Sequence, residues 1–462
     1  MSEFLAVLVD YAWGLPLLVL LMGGGIGLVI HSRFLPLTGF LHAFKIVSGK
    51  FHHGQKQAIG QISHFQALSN ALAATIGMGN IAGVAVAISQ GGPGAIFWMW
   101  IAGLIGMNTK FYECTLALLY RGKDYKGEVQ GGPMYVIEEA LKDKLGGLSK
   151  FLAYFFAICG LIGTLCLFQV NQLSAYVVDQ FFSAHAESFQ FNVKVAVGVF
   201  SAGLVLWTLL GGLKRLSNFT AKMVPGMCLL YVISCVYILF YNMENIPVML
   251  KLIFTEALGW DSVAGGISGE VIRRVLNIGI KRAAFSNEAG VGTAPMAHSN
   301  TKTSEPVSEG YVAMLGPFLD TIVVCTLTAL VILVSLSPAE MKDADGIVMT
   351  TRAFENALPG IGNYFLGAAV LLFSLSTMMG YSNYNQKCWD FVFRGKFIFN
   401  DTFFKIWFCA TILFGAISAG DDVVNILDIG FAFMAIPNML ATIMLAPKIK
   451  AALLEYNNKY LK

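Results

Sequence analysis

Eleven long apolar stretches with few charged residues limit most strongly what this chain can fold into. They cover residues 11–30, 64–90, 93–120, 151–180, 193–212, 220–241, 258–283, 310–336, 362–393, 402–419 and 422–446. The hydrocarbon core of a bilayer is about 30 Å thick, and an α-helix needs about 20 apolar residues to cross it. We therefore expect an all-α integral membrane protein with eleven transmembrane helices, in which residues 1–462 form a single transmembrane domain.

The composition fits that class and excludes several others. Only 13% of the residues are charged and 56% are hydrophobic, whereas about a quarter of a soluble protein is charged. A net charge of +3 is too small to indicate a nucleic-acid partner. The sequence contains no G-x-x-x-x-G-K-[ST], H-E-x-x-H or G-x-S-x-G motif, so it favours neither an ATPase nor a common hydrolase. We expect no enzyme activity, no cofactor and no obligatory protein partner.

The basic residues predict the orientation. If the first span runs from outside to inside, 26 of the 31 Lys and Arg residues lie in the inner segments, which comprise the inner loops, the adjoining parts of their spans and the C-terminal tail, and one, Lys110, lies deep within a span. The outer loops hold four, Lys194, Lys251, Lys342 and Arg352. Because cytoplasmic loops carry an excess of Lys and Arg, we expect a multi-pass protein of the plasma membrane, with its N-terminus outside and its C-terminus in the cytoplasm.

Eleven spans divide into one extra helix, 11–30, and two units of five, 64–241 and 258–446. Two consecutive units of five must insert with opposite topologies, which is the inverted repeat of many secondary transporters. The first helix of each unit carries a glycine-containing interruption, TIGMGN at 75–80 and VAGGISG at 263–269. We therefore expect the first and sixth core helices to be unwound.

An unwound membrane helix exposes backbone groups that lipid cannot satisfy, so it survives only inside protein or beside a water-filled cavity. Amides at such a break suit a carboxylate, and carbonyls suit a sodium ion. A second interpretation remains for the first interruption, in which Gly77, Gly79 and Gly83 form a small-residue seam for close helix packing. The matching interruption at Gly265, Gly266 and Gly269 favours a binding site.

Polar side chains at mid-membrane depth are further candidates, because they are costly unless they find partners or ligands. Gln169 could contact the backbone of an amino acid, and the hydroxyls of Ser376 and Thr377 are oxygen ligands of the kind a small cation needs. Interhelical hydrogen bonding explains each of them equally well. Asp320 is a candidate for proton coupling, although a carboxyl held by Thr321 and other hydroxyls is the preferred interpretation. The stretch at 281–299 is interpreted as an ordered cytoplasmic loop.

Three long segments resemble the sodium:alanine symporter family, also called alanine or glycine:cation symporters. They are NALAATIGMGNIAGVAVAISQGGPGAIFWMW, GGPMYVIEEAL and FSNEAGVGTAPMAHS, in this order from Asn70 to Ser299. The resemblance implies a leucine-transporter-like fold, with an extra N-terminal helix before a five-plus-five inverted repeat.

The resemblance also implies a set of site residues. The substrate site would be formed by Thr75, Gly77, Met78, Gly79, Gln169, Asn171, Ile267, Thr377 and Tyr381. By analogy with the wider fold, sodium would bind the carbonyls of Ala73, Ile76 and Phe373 and the hydroxyls of Ser376 and Thr377.

The chain departs from the family pattern at two positions in the pocket wall. Ile267 stands where the family often has an aromatic residue, and Tyr381 stands where it often has Trp. Sodium-coupled symport of a small neutral amino acid, alanine or glycine, by alternating access is the function implied. The alternative is a proton-coupled or glutamine-type amino-acid symporter of the same fold.

Overall fold

The computed structural model describes residues 2–50, 60–123, 127–259, 268–342, 344, 346–396 and 399–461. Most of them are helical. The first helices are α1 (Ser2–Ala12), α2 (Leu15–Leu18), α3 (Gly24–His31), α4 (Leu35–Thr38), α5 (Phe40–Val47), α6 (His64–Thr75), α7 (Met78–Gly91), α8 (Gly94–Leu119), α9 (Pro133–Ala140), α10 (Lys142–Leu145), α11 (Gly147–Gly163), α12 (Leu167–Phe182), α13 (Glu187–Tyr241) and α14 (Ile246–Leu258).

The later helices are α15 (Ser268–Asn287), α16 (Ala294–His298), α17 (Pro306–Ala313), α18 (Leu315–Pro317), α19 (Thr326–Ser335), α20 (Pro338–Lys342), α21 (Gly346–Ala357), α22 (Gly362–Phe393), α23 (Asp401–Ile417) and α24 (Gly420–Tyr460). Val19–Gly23 and Phe318–Cys325 are π-helical and continue α2 into α3 and α18 into α19. Strands β1 (Gly122–Lys123) and β2 (Val129–Gln130) form a short antiparallel pair.

Within the described part of the chain, six helical segments are long and apolar enough to cross a membrane. They are His64–Gly91, Gly147–Phe182, Glu187–Tyr241, Pro306–Ser335, Gly362–Phe393 and Gly420–Tyr460. Glu3–Ala12 and Leu15–His31, which are bent by 44°, bring the number to seven when the pair is counted as one span. An all-α membrane protein is therefore confirmed, whereas the count of eleven spans stays a prediction.

Two of the predicted spans, 193–212 and 220–241, fall on the same helical stretch, α13. This stretch turns sharply at Gly212, where φ is 64° and ψ is −169°. A positive φ favours glycine, so α13 consists of two helices that meet at this residue. Of the predicted span 258–283, residues 260–267 lie outside the described residues, and the remainder falls on α15.

Helices α6 and α7 form one broken helix, and α15 and α16 form a second. Helix α7 packs against α15, and α6 packs against α16. The two broken helices therefore run side by side in opposite directions, because the first half of each contacts the second half of the other. Their breaks, at residues 76–77 and 288–293, consequently lie near one another inside the protein.

Helix α22 approaches α6 very closely and fixes what faces the first break. A Cβ atom on Gly380 would lie 2.9 Å from the Cβ atom of Ala74 and 3.0 Å from its backbone nitrogen. Only glycine permits this approach without displacing α6. The close contact brings Thr377, about one turn earlier on α22, to the point where α6 ends.

Candidate functional site

The first break separates α6 from α7 by two residues that leave the helical conformation. Ile76 has φ −75° and ψ 93°, and Gly77 has φ −156° and ψ −148°. The Gly77 amide donates to Asn80 Oδ1 at 2.8 Å, and the Asn80 amide donates to Gly77 O at 3.1 Å. Asn80 thereby caps α7. The predicted opening is narrower than expected, because Met78 and Gly79 already form the first turn of α7.

The break places backbone hydrogen-bond acceptors and donors close together. In an uninterrupted helix the Gly77 amide would donate to Ala73 O, but here it donates to Asn80 instead. The last carbonyls of α6 and the first amides of α7 lack their intrahelical partners, as at any helix end. Thr75 does not fill the gap, since its hydroxyl donates back to Ala71 O at 3.1 Å.

Thr377 lies directly against this break. A Cβ atom added to Gly77 would stand 1.9 Å from Thr377 Oγ1 and 3.5 Å from Phe373 O. Thr377 is 2% exposed, and its hydroxyl has no hydrogen-bond partner among the described residues. Ser376 donates its hydroxyl proton to Phe373 O at 2.9 Å. The structure thus brings Gly77, Thr377 and Phe373 together.

Gln169 and Asn171 differ in what they contact. Gln169 is 2% exposed, and its Oε1 atom has no hydrogen-bond partner within the described ranges. Asn171 donates from Nδ2 to Gly415 O at 3.2 Å and to Ser418 O at 2.8 Å. These two carbonyls belong to the C-terminal end of α23, so the Asn171 amide satisfies a helix end.

Tyr381 and Ile267, the two residues predicted to form the pocket wall, differ in whether the structure describes them. Tyr381 is buried on α22 and lies beside the carboxylate of Glu288, at the second break. Ile267 lies outside the described residues, as do Gly265 and Gly266. The predicted interruption at 263–269 is therefore described only at its end, where Ser268 and Gly269 begin α15.

The second break that the structure describes lies further along the chain, between α15 and α16. Glu288, Gly290 and Gly292 have φ values of 58°, 85° and 94°. The Glu288 carboxylate accepts from the Thr293 hydroxyl at 2.5 Å, and Asn438 Nδ2 donates to Gly290 O at 2.9 Å. Asn438 therefore satisfies one backbone carbonyl of this unwound turn, and Thr293 binds the carboxylate of Glu288 within it.

The interpretation of residues 281–299 as a loop is wrong, because most of them are helical. Residues 290–299 are all buried and contain the second break and α16. The signal in the sequence was the pair Gly290 and Gly292 in NEAGVG, whose polar neighbours end the apolar window at 283. Both glycines have positive φ, and a Cβ atom on Gly292 would stand 2.7 Å from Pro133 Cγ.

Asp320 connects the two broken helices. Its carboxylate accepts from Asn80 Nδ2 at 2.6 Å, from Ser286 Oγ at 2.7 Å and from Thr321 Oγ1 at 2.8 Å. Asn80 lies in the first turn of α7, and Ser286 lies in the last turn of α15. This fits the preferred interpretation of a buried carboxyl held by hydroxyl groups. Asp320 also lies in a π-helical segment, a feature frequent at functional sites.

Three aromatic rings cover the α7 side of the first break. A Cβ atom on Gly79 would meet Phe285 Cδ1 at 3.5 Å. The Phe285 ring lies 5.1 Å from that of Phe168 at 85°, and 5.6 Å from that of Phe431. The first contact is edge-on and the second is tilted, and together they join α12, α15 and α24 beside the break.

A family model described as the sodium:alanine symporter family matches residues 1–462. The chain belongs to the sodium:alanine symporter family. Members of this family are symporters, so the chain is a transporter and the expectation that it is no enzyme is confirmed.

Individual relatives in the sodium:alanine symporter family are similar to this chain over most of their own length. The sodium/alanine symporter AgcS of Methanococcus maripaludis is 37% identical over 442 residues, covering 95% of this chain and 93% of AgcS. The probable sodium/glutamine symporter GlnT of Bacillus subtilis is 31% identical over 456 residues, covering 97% of this chain and 89% of GlnT.

A solved structure shows the same fold. The crystal structure of MhsT in complex with L-phenylalanine has a TM-score of 0.54 and 16% sequence identity to this chain. The match covers 86% of this chain and 99% of MhsT. MhsT has the leucine-transporter-like fold that the sequence resemblance implied.

Proposed function

We propose that the chain uses a sodium gradient to take up a small neutral amino acid, alanine or glycine, by alternating access. One observation carries the proposal. The unwound end of α6 faces the unpartnered Thr377 hydroxyl, so hydrogen-bond donors and oxygen ligands meet at one buried point. A zwitterion and a cation together need this combination, because the carboxylate requires donors and the ion requires oxygens.

The substrate carboxylate binds at the start of α7 in this proposal. The amides of Met78 and Gly79 point out of the first turn, and the positive end of the helix dipole favours an anion there. Gly77 allows the carboxylate to approach the backbone, with Thr75 beside it. Asn80 supports the site by holding the Gly77 amide at 2.8 Å.

Sodium binds on the opposite side of the same break. Its ligands are the carbonyls of Ala73, Ile76 and Phe373 and the hydroxyls of Ser376 and Thr377. The Ala73 carbonyl supports this assignment, because the amide that would occupy it in a continuous helix donates to Asn80. Ion and substrate share one centre, so the binding of either strengthens the binding of the other.

The side-chain pocket selects the amino acid. Gln169 supplies the unpartnered Oε1 atom, Ile267 and Tyr381 form the wall, and Asn171 supports the pocket through the end of α23. Alanine is favoured by the 37% identity to the sodium/alanine symporter AgcS, and glycine is the smaller candidate of the same class. Glutamine is the second candidate, because GlnT is similar over 97% of this chain.

Proton coupling through Asp320 is the alternative to sodium. Asp320 is fully buried and lies between the two broken helices, which would link its protonation to their movement. Sodium is preferred because three donors already hold the Asp320 carboxylate, while the Thr377 hydroxyl has no protein partner among the described residues.

The proposed topology is eleven transmembrane helices, with an extra helix at 11–30 and inverted repeats at 64–241 and 258–446. The antiparallel packing of the two broken helices supports an inverted arrangement. In this topology the unwound part of the sixth core helix lies at residues 288–293. The distribution of Lys and Arg supports an outer N-terminus and a cytoplasmic C-terminus in the plasma membrane.

Uptake of labelled alanine and glycine into proteoliposomes tests the proposal. We expect accumulation under an inward sodium gradient, and none under a matched potassium gradient or a proton gradient alone. Unlabelled glutamine in excess separates the two substrate candidates, because only a glutamine-type pocket would allow it to compete. Accumulation of the amino acid that is the same with and without a sodium gradient would overturn the proposal.

A further inference from the structure

A groove of about 580 Å³ lies away from the two breaks, at one end of the helix bundle. It is formed by the last turns of α12, the C-terminal part of α21 and the first turns of α22. Its apolar wall contains Phe181, Tyr364 and Leu371, and its polar end contains Glu355 and Asn363. The symport mechanism proposed above uses none of these residues.

The polar end of the groove has hydrogen-bond acceptors without donors. Glu355 Oε1 accepts from the Gly360 amide at 2.9 Å, but the buried Oε2 atom has no partner in the described part of the chain. Asn363 Oδ1 is likewise buried and unpartnered within the same ranges. The Tyr176 hydroxyl, which could have donated, is bound to the Asn363 backbone oxygen at 2.7 Å.

Two buried acceptors, one of them on a carboxylate, are costly when they are left unpaired. A ligand that satisfies both must donate at least two hydrogen bonds and carry positive charge. Gln180, which also lines the groove, uses its amide nitrogen on Asp179 Oδ2 at 2.8 Å. A primary ammonium group, with three N–H donors, matches this end of the groove.

The other end of the groove is apolar and exposed. Phe181, Tyr364 and Leu371 are 60%, 74% and 40% exposed. Helices α12 and α22 belong to segments apolar enough to span a bilayer, and the groove lies where α12 ends and α22 begins. Aromatic side chains collect at the level of the lipid headgroups, so the groove opens toward headgroups and acyl chains.

We propose that this groove binds a phospholipid with a primary-ammonium headgroup, phosphatidylethanolamine. The ammonium donates to Glu355 Oε2 and to Asn363 Oδ1, and an acyl chain lies along Phe181 and Leu371. A choline headgroup has no N–H group and cannot satisfy either oxygen. A small soluble amine fits the polar end but leaves the apolar wall uncovered.

Native mass spectrometry of the purified protein tests this proposal with phosphatidylethanolamine and phosphatidylcholine of identical acyl chains. We expect the protein to retain phosphatidylethanolamine at least about tenfold better, because a hydrogen bond to a charged group is worth about a factor of ten or more. Glu355→Gln keeps the shape of the side chain and removes its charge, so it should abolish this preference. Asn363→Leu removes the second acceptor and should weaken it.

Glu340→Gln is the matched control, because Glu340 is a partly exposed carboxylate bound by Ser337 and Asn356 and lies outside the groove. It should leave the preference unchanged. Circular dichroism and size-exclusion chromatography establish that each variant is folded. Equal retention of both lipids, or an unchanged preference in folded Glu355→Gln and Asn363→Leu, would overturn the proposal. Displacement of the lipid by millimolar ethanolamine would also overturn it, since that result assigns the site to a soluble amine.

Discussion

The Thr377 hydroxyl occupies the space that a β-carbon on Gly77 would need, because Oγ1 stands only 1.9 Å from that position. The two residues are 300 positions apart in the sequence. Their contact joins α22 to the unwound end of α6, and it makes the size of residue 77 and the chemistry of residue 377 parts of one site.

Gly77→Ala should abolish most of the uptake. The added methyl group must displace Thr377 or reopen the contact between α6 and α22, and overpacking of this kind costs about 1–3 kcal/mol. We expect initial alanine uptake in proteoliposomes to fall about tenfold or more. Gly83→Ala is the control, because its Cβ atom would find its nearest neighbour at 3.9 Å. Equal loss in both variants would contradict a specific role for Gly77.

Asn171→Leu should lower stability more than it changes substrate affinity. Its amide donates to two carbonyls at the end of α23, so its removal leaves both without a donor, at a cost of about 1–3 kcal/mol. We expect a lower midpoint of thermal unfolding in detergent with little change in the KM for alanine. Gln169→Leu should show the reverse pattern, with a raised KM. A raised KM at unchanged stability in Asn171→Leu would place Asn171 in the substrate contact.

Asp320→Asn should destabilise the protein without creating or removing proton coupling. An asparagine keeps one acceptor oxygen and places an NH₂ group where Asp320 accepts from Ser286 and Thr321. We expect a loss of about 2 kcal/mol of stability and weaker uptake that still requires sodium. Uptake driven by a proton gradient in the parent protein, and lost in Asp320→Asn, would instead establish the proton-coupled alternative.

Glu309→Gln should loosen the end of α6 that lies furthest from the break. The buried Glu309 carboxylate is hydrogen-bonded to His64 on α6 and to His298 on α16, so it joins both broken helices to α17. A glutamine has one acceptor oxygen and cannot serve both rings equally. Hydrogen–deuterium exchange should therefore rise in α6. Glu305→Gln, which alters a more exposed pair with Lys459, should leave that exchange unchanged, and equal protection in both variants would contradict the role of Glu309.

Local sequence patterns predicted much of the fold and the first half of the site. The apolar stretches correspond to helices, and TIGMGN marked the break at Ile76 and Gly77 because glycine weakens a helix locally. The second break escaped prediction because NEAGVG contains Asn287 and Glu288, and polar residues in such a segment are typical of a loop. Their partners, Thr321 for Asn287 and Thr293 for Glu288, become visible only once the helices are packed.

The contacts of Asn171 escaped prediction for a similar reason. A polar residue beside Gln169 in a membrane helix suggests a ligand, and no local pattern distinguishes a ligand contact from a helix cap. The carbonyls of Gly415 and Ser418, which it binds, are separated from it by more than 240 positions. Tertiary packing, which local periodicity does not encode, decides between the two roles.

The sodium dependence of alanine binding to the purified protein tests the shared ion and substrate centre most directly. The account predicts that the Kd for alanine falls about tenfold or more as sodium replaces potassium at constant ionic strength, within the usual range of coupling between sites. Thr377→Ala should lose this dependence, and Thr377→Ser, which keeps the hydroxyl, should retain most of it. A Kd that does not respond to sodium in the parent protein, or an unchanged sodium titration in Thr377→Ala, would contradict the account.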